Sequence, residues 1–144
     1  MKRYRLGGLI LVLLILGITS WYLFYVSIWG FNIPKYELKT AIIYTGTKSY
    51  LVTKHQSVLE LAKEVSSMKK LDKINPNTFG KVNPPARYRK LVLQTKDNTT
   101  YGGSLWVDET RVIQDSNGYR WRVNETLFKK MDEVIKDAKI QTKH

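Results

Sequence analysis

The sequence predicts an α+β protein: an N-terminal transmembrane helix followed by an antiparallel sheet in the order ββα-ββββα, with two helices packed on one face. Three observations carry this prediction. Residues 6–34 hold no charged side chain, a run longer than the roughly 20 apolar residues that cross a hydrocarbon core about 30 Å thick. Past residue 34, β-branched and aromatic runs alternate with a period of two and break at Gly, Asn or Asp. Two segments, 55–71 and 124–141, switch to helical spacing of their apolar residues. The 144 residues then divide into a short basic cytoplasmic tail (1–5), a transmembrane helix (6–33) and one domain of common size (34–144).

The stretch "GITSWYLFYVSIWGFNIPKYELK" (17–39) decides whether the chain stays in the bilayer or is released. A buried helix of a soluble protein is one alternative, but so long an uncharged run needs a larger protein around it. Secretory cleavage is the stronger competitor: Lys2, Arg3 and Arg5 form a basic n-region and residues 9–16 an apolar h-region. Gly17-Ile18-Thr19-Ser20 lacks the Ala-x-Ala pattern, and apolar character continues through Trp21, Tyr22, Leu23, Phe24, Tyr25 and Trp29. An uncleaved anchor fits this better, with the aromatic rings near a headgroup interface. Gly7, Gly8 and Gly17 make no small-xxx-small face for helix pairing. The basic tail favours a single-pass protein of the cell membrane with its N-terminus inside and its domain outside, although Lys35, Lys39, Lys48 and Lys54 reduce the asymmetry. Asn32-Ile33-Pro34 reads as the hinge into the domain, because proline disfavours helical geometry before it.

Within the domain, residues 36–54 read as a hairpin joined at Gly46. In the helix that follows, Val58, Leu61, Ala62, Val65 and Met68 form one stripe. Residues 72–88, with three of the four prolines, read as a loop. A second hairpin (87–109) turns at Asp97-Asn98, with Leu91, Leu93 and Thr95 on one face and Lys90, Val92 and Gln94 on the other. Gly102-Gly103 in its return strand suggests a bulge or bend. The third hairpin (110–124) turns at Ser-Asn-Gly, and Tyr119, Trp121 and Val123 alternate with Arg120 and Arg122. Asn124 is placed to cap the last helix, whose stripe is Leu127, Met131, Val134, Ile135 and Ala138. Aligning Val65 with Val134 sets Tyr50, Val52 and Val58 on Tyr119, Trp121 and Leu127, an internal echo between two strand-then-helix units.

The formal charge is +12; Lys2, Arg3 and Arg5 account for three, leaving +9 in residues 35–144. Such a domain is drawn to anionic polymers or headgroups in a salt-dependent way. The absence of cysteine excludes disulfides, thiolate metal sites and a thiol nucleophile. His55 and His144 stand at a helix start and at the chain end, and no HExxH, P-loop or GxSxG occurs. No catalytic, cofactor-binding or metal-binding residue is therefore expected. A calcium or hydrolytic site on Asp108, Glu109 and Asp115 is the alternative, without the glycine-bearing twelve-residue loop. The N-x-T sequons at Asn98 and Asn124 matter only in a eukaryotic secretory pathway, and the Ile- and Lys-rich composition fits a bacterium. A basic surface for polyanions remains: Arg120 and Arg122 project from the face opposite Tyr119 and Trp121, with Lys90 and Trp106 on nearby strands. Because its aromatic neighbours alternate to the other face, nucleic acid is disfavoured as a partner.

Residues 88–135 carry a recognisable punctuation: Tyr88 to Leu93, Lys96-Asp97-Asn98, Leu105-Trp106-Val107-Asp108, and Leu127 to Ile135. In this order they resemble the YhfM-like small extracytoplasmic domains of Gram-positive lipoproteins and anchored proteins. The resemblance covers less than half the chain, and a membrane segment stands here where those lipoproteins have a lipobox cysteine. It implies an envelope-facing domain and transfers no catalytic residue. The expectation is an anchored accessory or interaction protein of the cell envelope. Residues 6–33 would meet membrane lipid; the domain would meet cell-wall polyanions or another membrane protein. An envelope hydrolase or metal-dependent enzyme, or a cytoplasmic domain binding anionic lipid or nucleic acid, is the alternative.

Overall fold

The computed structural model describes residues 2–73, 88–106 and 112–141. The chain is α+β: an apolar N-terminal helix α1 (Lys2–Phe24), two further helices, a two-stranded sheet and an eight-stranded antiparallel sheet. Residues Gly7–Phe24 of α1 have a mean hydropathy of 2.1 and bury none of their side chains in the protein, so this helix is long and apolar enough to cross a membrane. It shows no polar stripe: Leu9 through Ile18 and Trp21 through Phe24 are exposed on every side.

The helix ends ten residues earlier than the uncharged run. Strands β1 (Tyr25–Ile28) and β2 (Phe31–Pro34) form a hairpin with Tyr25 opposite Pro34 and Ile28 opposite Phe31. Trp29 and Gly30 make its two-residue turn, both with positive φ (52° and 86°), the backbone that matches the twist of paired strands. This corrects the expectation of a 6–33 helix and of a hinge at Asn32-Ile33-Pro34. The apolar residues there serve the domain: Val26, Ile28, Trp29 and Ile33 are buried in its core. Each contributes roughly 1.5–3 kcal/mol by leaving water. The hairpin is fastened to the helix at its base, where Lys35 Nζ donates to the carbonyls of Tyr22 (2.8 Å) and Leu23 (2.9 Å), two of the acceptors a helix end leaves unpaired. Trp21 stacks on Tyr25 across the junction, ring centroids 4.3 Å apart.

After a short 3-10 turn (Lys35–Glu37), strands β3 (Leu38–Thr45) and β4 (Lys48–Val52) pair as the predicted hairpin at Gly46. Helix α2 (His55–Ser66) buries Val58, Leu61, Ala62 and Val65. It stops five residues before the expected end because Ser66 and Ser67 hydroxyls donate back to the carbonyls of Lys63 and Glu64. Residues Lys69–Lys73 then form β5, where a loop was expected to begin at 72; the rest of that loop, 74–87, lies outside the described residues. Strands β6 (Tyr88–Thr95) and β7 (Thr100–Trp106), then β8 (Val112–Asp115) and β9 (Tyr119–Arg122), are the expected second and third hairpins, turning through Asn98 (φ 67°) and Gly118 (φ 82°). Helix α3 (Glu125–Lys136) buries Leu127, Met131 and Val134, and a last strand β10 (Lys139–Gln141) replaces the end of the expected helix.

The sheet order is β10-β4-β3-β6-β7-β8-β9-β5. Its two ends are interleaved: β5, which follows α2, pairs with β9, whereas β10, which follows α3, pairs with β4. A hairpin, a helix and a short edge strand thus occur twice, and the internal echo falls on these two units. Helix α2 packs on β1, β3 and α3, and the stripes of both helices join Ala41, Ile43, Leu91, Leu93, Ile113 and Trp121 in one core.

Candidate functional site

Alternation along β6 to β9 divides the sheet into an inner, core-facing side and an outer side. Leu91, Leu93, Thr95, Ile113, Asp115 and Trp121 are buried on the inner side. On the outer side the register aligns Tyr44, Lys90, Ser104, Gln114 and Arg120 in one row across β3, β6, β7, β8 and β9. Lys90 and Arg120 therefore share a face, three strand spacings or roughly 14 Å apart. Arg122 lies two residues further along β9 on that same face, opposite Lys69 of β5.

The three basic side chains differ in their electrostatic state. Arg120 forms a fork with Asp72 of β5: its Nε lies 2.7 Å from Oδ1, and its Nη2 contacts Oδ2. The hydrogen bonds raise the Arg120 guanidinium and hold the Asp72 carboxyl below the usual range, so this charge is already answered. Lys90 and Arg122 are exposed and, among the described residues, make no ion pair; Lys90 Nζ stands 5.6 Å from the Tyr44 ring centroid.

Beside Lys90 the outer face carries an open cleft of about 240 Å³ over Gly102 and Val92, with Thr100, Ser104, Gln114 and Ser116 around it. Gly102 makes room for it by presenting no side chain. Its neighbour Gly103 points inward, where a Cβ would lie 2.8 Å from Cζ2 of Trp29 and 2.9 Å from Cδ1 of Ile113. The pairing of β6 with β7 runs unbroken through both glycines, so they mark a cleft and a close approach, not the expected bulge. The cleft's hydroxyls and amide are short side chains that can donate to anionic oxygen, and Lys90 supplies the positive charge.

Of the carboxylates of the alternative reading, only Asp115 lies among the described residues. Asp115 is buried and structural: Oδ2 accepts from Trp121 Nε1 (2.8 Å), and Oδ1 from the amides of Asn117 (2.8 Å) and Tyr119 (3.0 Å). Asp108 and Glu109 lie outside the described residues, and among the described residues no cluster of His, Asp and Glu fits a metal ion. His55 opens α2 on the surface. Asn124 occupies the N-cap position of α3, but its side chain donates to Ser67 Oγ (2.7 Å) and ties α3 to the end of α2 instead of capping the helix amides.

No protein-family model, curated protein or solved structure matches the chain.

Proposed function

We propose that the protein is a single-pass membrane protein of the bacterial cell envelope, with its N-terminus inside and its domain outside. It acts by binding, not catalysis, as an accessory or interaction module whose ligand is anionic wall polymer. The observation that carries this reading is the outer-face cleft, where Lys90 and the hydroxyls of Ser104 and Ser116 converge while Arg122 extends the positive surface along β9. A phosphodiester in the cleft would take its charge partner from Lys90 and hydrogen bonds from Ser104, Ser116 and Gln114; a repeating polymer would continue onto Arg122. The likeness of residues 88–135 to YhfM-like domains supports an envelope-facing position, and the uncharged run of α1 from residue 6 onward supports the anchor.

Full-length protein in neutral-lipid nanodiscs, passed over immobilised poly(glycerol phosphate), tests the ligand. Retention at low salt that added salt abolishes, and that Lys90→Ala and Arg122→Ala each weaken, is expected. No retention at low salt would leave another membrane protein as the partner. Topology has its own test in the cysteine-free chain. A membrane-impermeant maleimide should label Ser116→Cys in intact cells; labelling only after lysis would place the domain against the inner leaflet.

A further inference from the structure

We propose that the rim of the domain around Tyr36 and Lys96 seats in an anionic lipid headgroup layer, a second membrane contact beside the helix; this rests on the reading of α1 as a membrane anchor. The geometry leaves little freedom. Residues 6–24 of α1 span about 28 Å at 1.5 Å per residue, close to a hydrocarbon core of about 30 Å. Phe24 then stands at the hydrocarbon boundary, and the next layer, about 5–7 Å of headgroups, must hold the residues just after it. No spacer intervenes, because Tyr25 already opens β1. The hairpin then folds the chain back: Pro34 returns opposite Tyr25, and Lys35 bonds the last carbonyls of the helix. Tyr36 comes next, with 63% of its surface exposed.

The neighbouring turn is held at the same level. The Lys96 amide donates to Glu37 O (2.8 Å), and Lys96 Nζ stands 5.8 Å from the Tyr36 ring centroid. Position 39, two residues beyond Glu37, is exposed at the edge of this rim and offers a reporter site outside the Lys35, Tyr36 and Lys96 set. The acids at this rim are Glu37 and Asp97, and the Asp97 carboxylate is taken up by the hydroxyls of Thr95 and Thr99 and the Thr99 amide. A ring with one polar edge, flanked by lysines at headgroup depth, is the chemistry that suits an anionic interface. Fastening at two points fixes how the domain leans and hence where its cleft looks.

The test uses full-length single-cysteine variants in nanodiscs containing phosphatidylglycerol. A fluorophore on Lys39→Cys reports the rim, and one on Ile15→Cys reports the anchor. Headgroup-spin-labelled lipid should quench the rim label, and quenching should drop in the Tyr36→Ser, Lys96→Ser double variant or when zwitterionic lipid replaces the anionic one. A rim label left unquenched, or quenched equally with and without those two side chains, while deep acyl-chain labels still quench Ile15→Cys, overturns the seat and leaves the anchor standing. Failure to quench Ile15→Cys as well overturns the anchor itself.

Discussion

At residues 102 and 103, two adjacent glycines face opposite sides of β7, and the same substitution should have opposite effects. Gly103→Ala forces a methyl into the Trp29 ring and Ile113 and is expected to lower stability by about 1–3 kcal/mol. Gly102→Ala meets Val92 Cγ2 at 3.4 Å and the Leu91 carbonyl oxygen at 3.9 Å, both ordinary contacts, and by removing a glycine from a strand should hold stability level or raise it by about 0.5–1 kcal/mol. Chemical denaturation of the two variants side by side checks the pair. Asp115→Ala leaves the Trp121 indole and two turn amides without their acceptor, so a loss of about 3 kcal/mol or more is expected in the same assay. That Arg120 and Arg122 share a face was legible in the sequence because alternation alone assigns sides within a strand; that Lys90 joins them follows only from the register of β6 to β9. The cleft was not: a glycine pair in a strand says nothing of which glycine faces a ring, and the Trp29 ring that fills the inner side comes from the far end of the domain. Nor was the neutralisation of Arg120 legible, since Asp72 belongs to a strand that reads as a loop.

Among the elements, the β1–β2 hairpin is the one whose removal should matter most. A fragment beginning at residue 35 loses Val26, Ile28, Trp29 and Ile33, roughly 1.5–3 kcal/mol for each buried side chain, against a usual total of about 5–15 kcal/mol. The expectation is that fragment 25–144 gives a dispersed amide spectrum and fragment 35–144 does not. The three inner hairpins and both amphipathic helices were legible, because each carries its own period and its own turn residues. The missed elements share a reason. In "YVSIWGFNIP" the apolar residues pass for membrane, as nothing polar separates a bilayer-facing side chain from a core-facing one. In β5 ("KKLDK") and β10 ("KIQ") the side chains are mostly exposed, and these edge strands are specified by the backbone groups of β9 and β4 rather than by a pattern of their own.

For the whole molecule, acid should be destabilising in a defined window. Hydrogen bonds hold three surface carboxyls below their ordinary range: Asp97 through Thr95 and Thr99, Asp72 through Arg120, and Glu60 through Gln56 and Lys130. A carboxyl depressed in the folded state favours folding above its unfolded pKa, and this is lost as pH falls through the folded value. The melting temperature should therefore be level down to about pH 4 and decline below it; an unchanged Tm at about pH 2.5, below the usual carboxylate range, would sink this account. The interleaved sheet carries a further consequence, one of timing. Trp29 finishes its packing only against Trp121, at an edge-to-face centroid distance of 6.1 Å, and β4 gains its outer neighbour only when β10 arrives. A ribosome delivers these partners nearly a whole domain apart, and such non-local pairing is slow. With α1 as the proposed anchor, the first residues to leave the bilayer would be among the last to be enclosed, and the nascent chain would spend its synthesis with an unburied tryptophan at the membrane surface, in need of either the lipid interface or a chaperone.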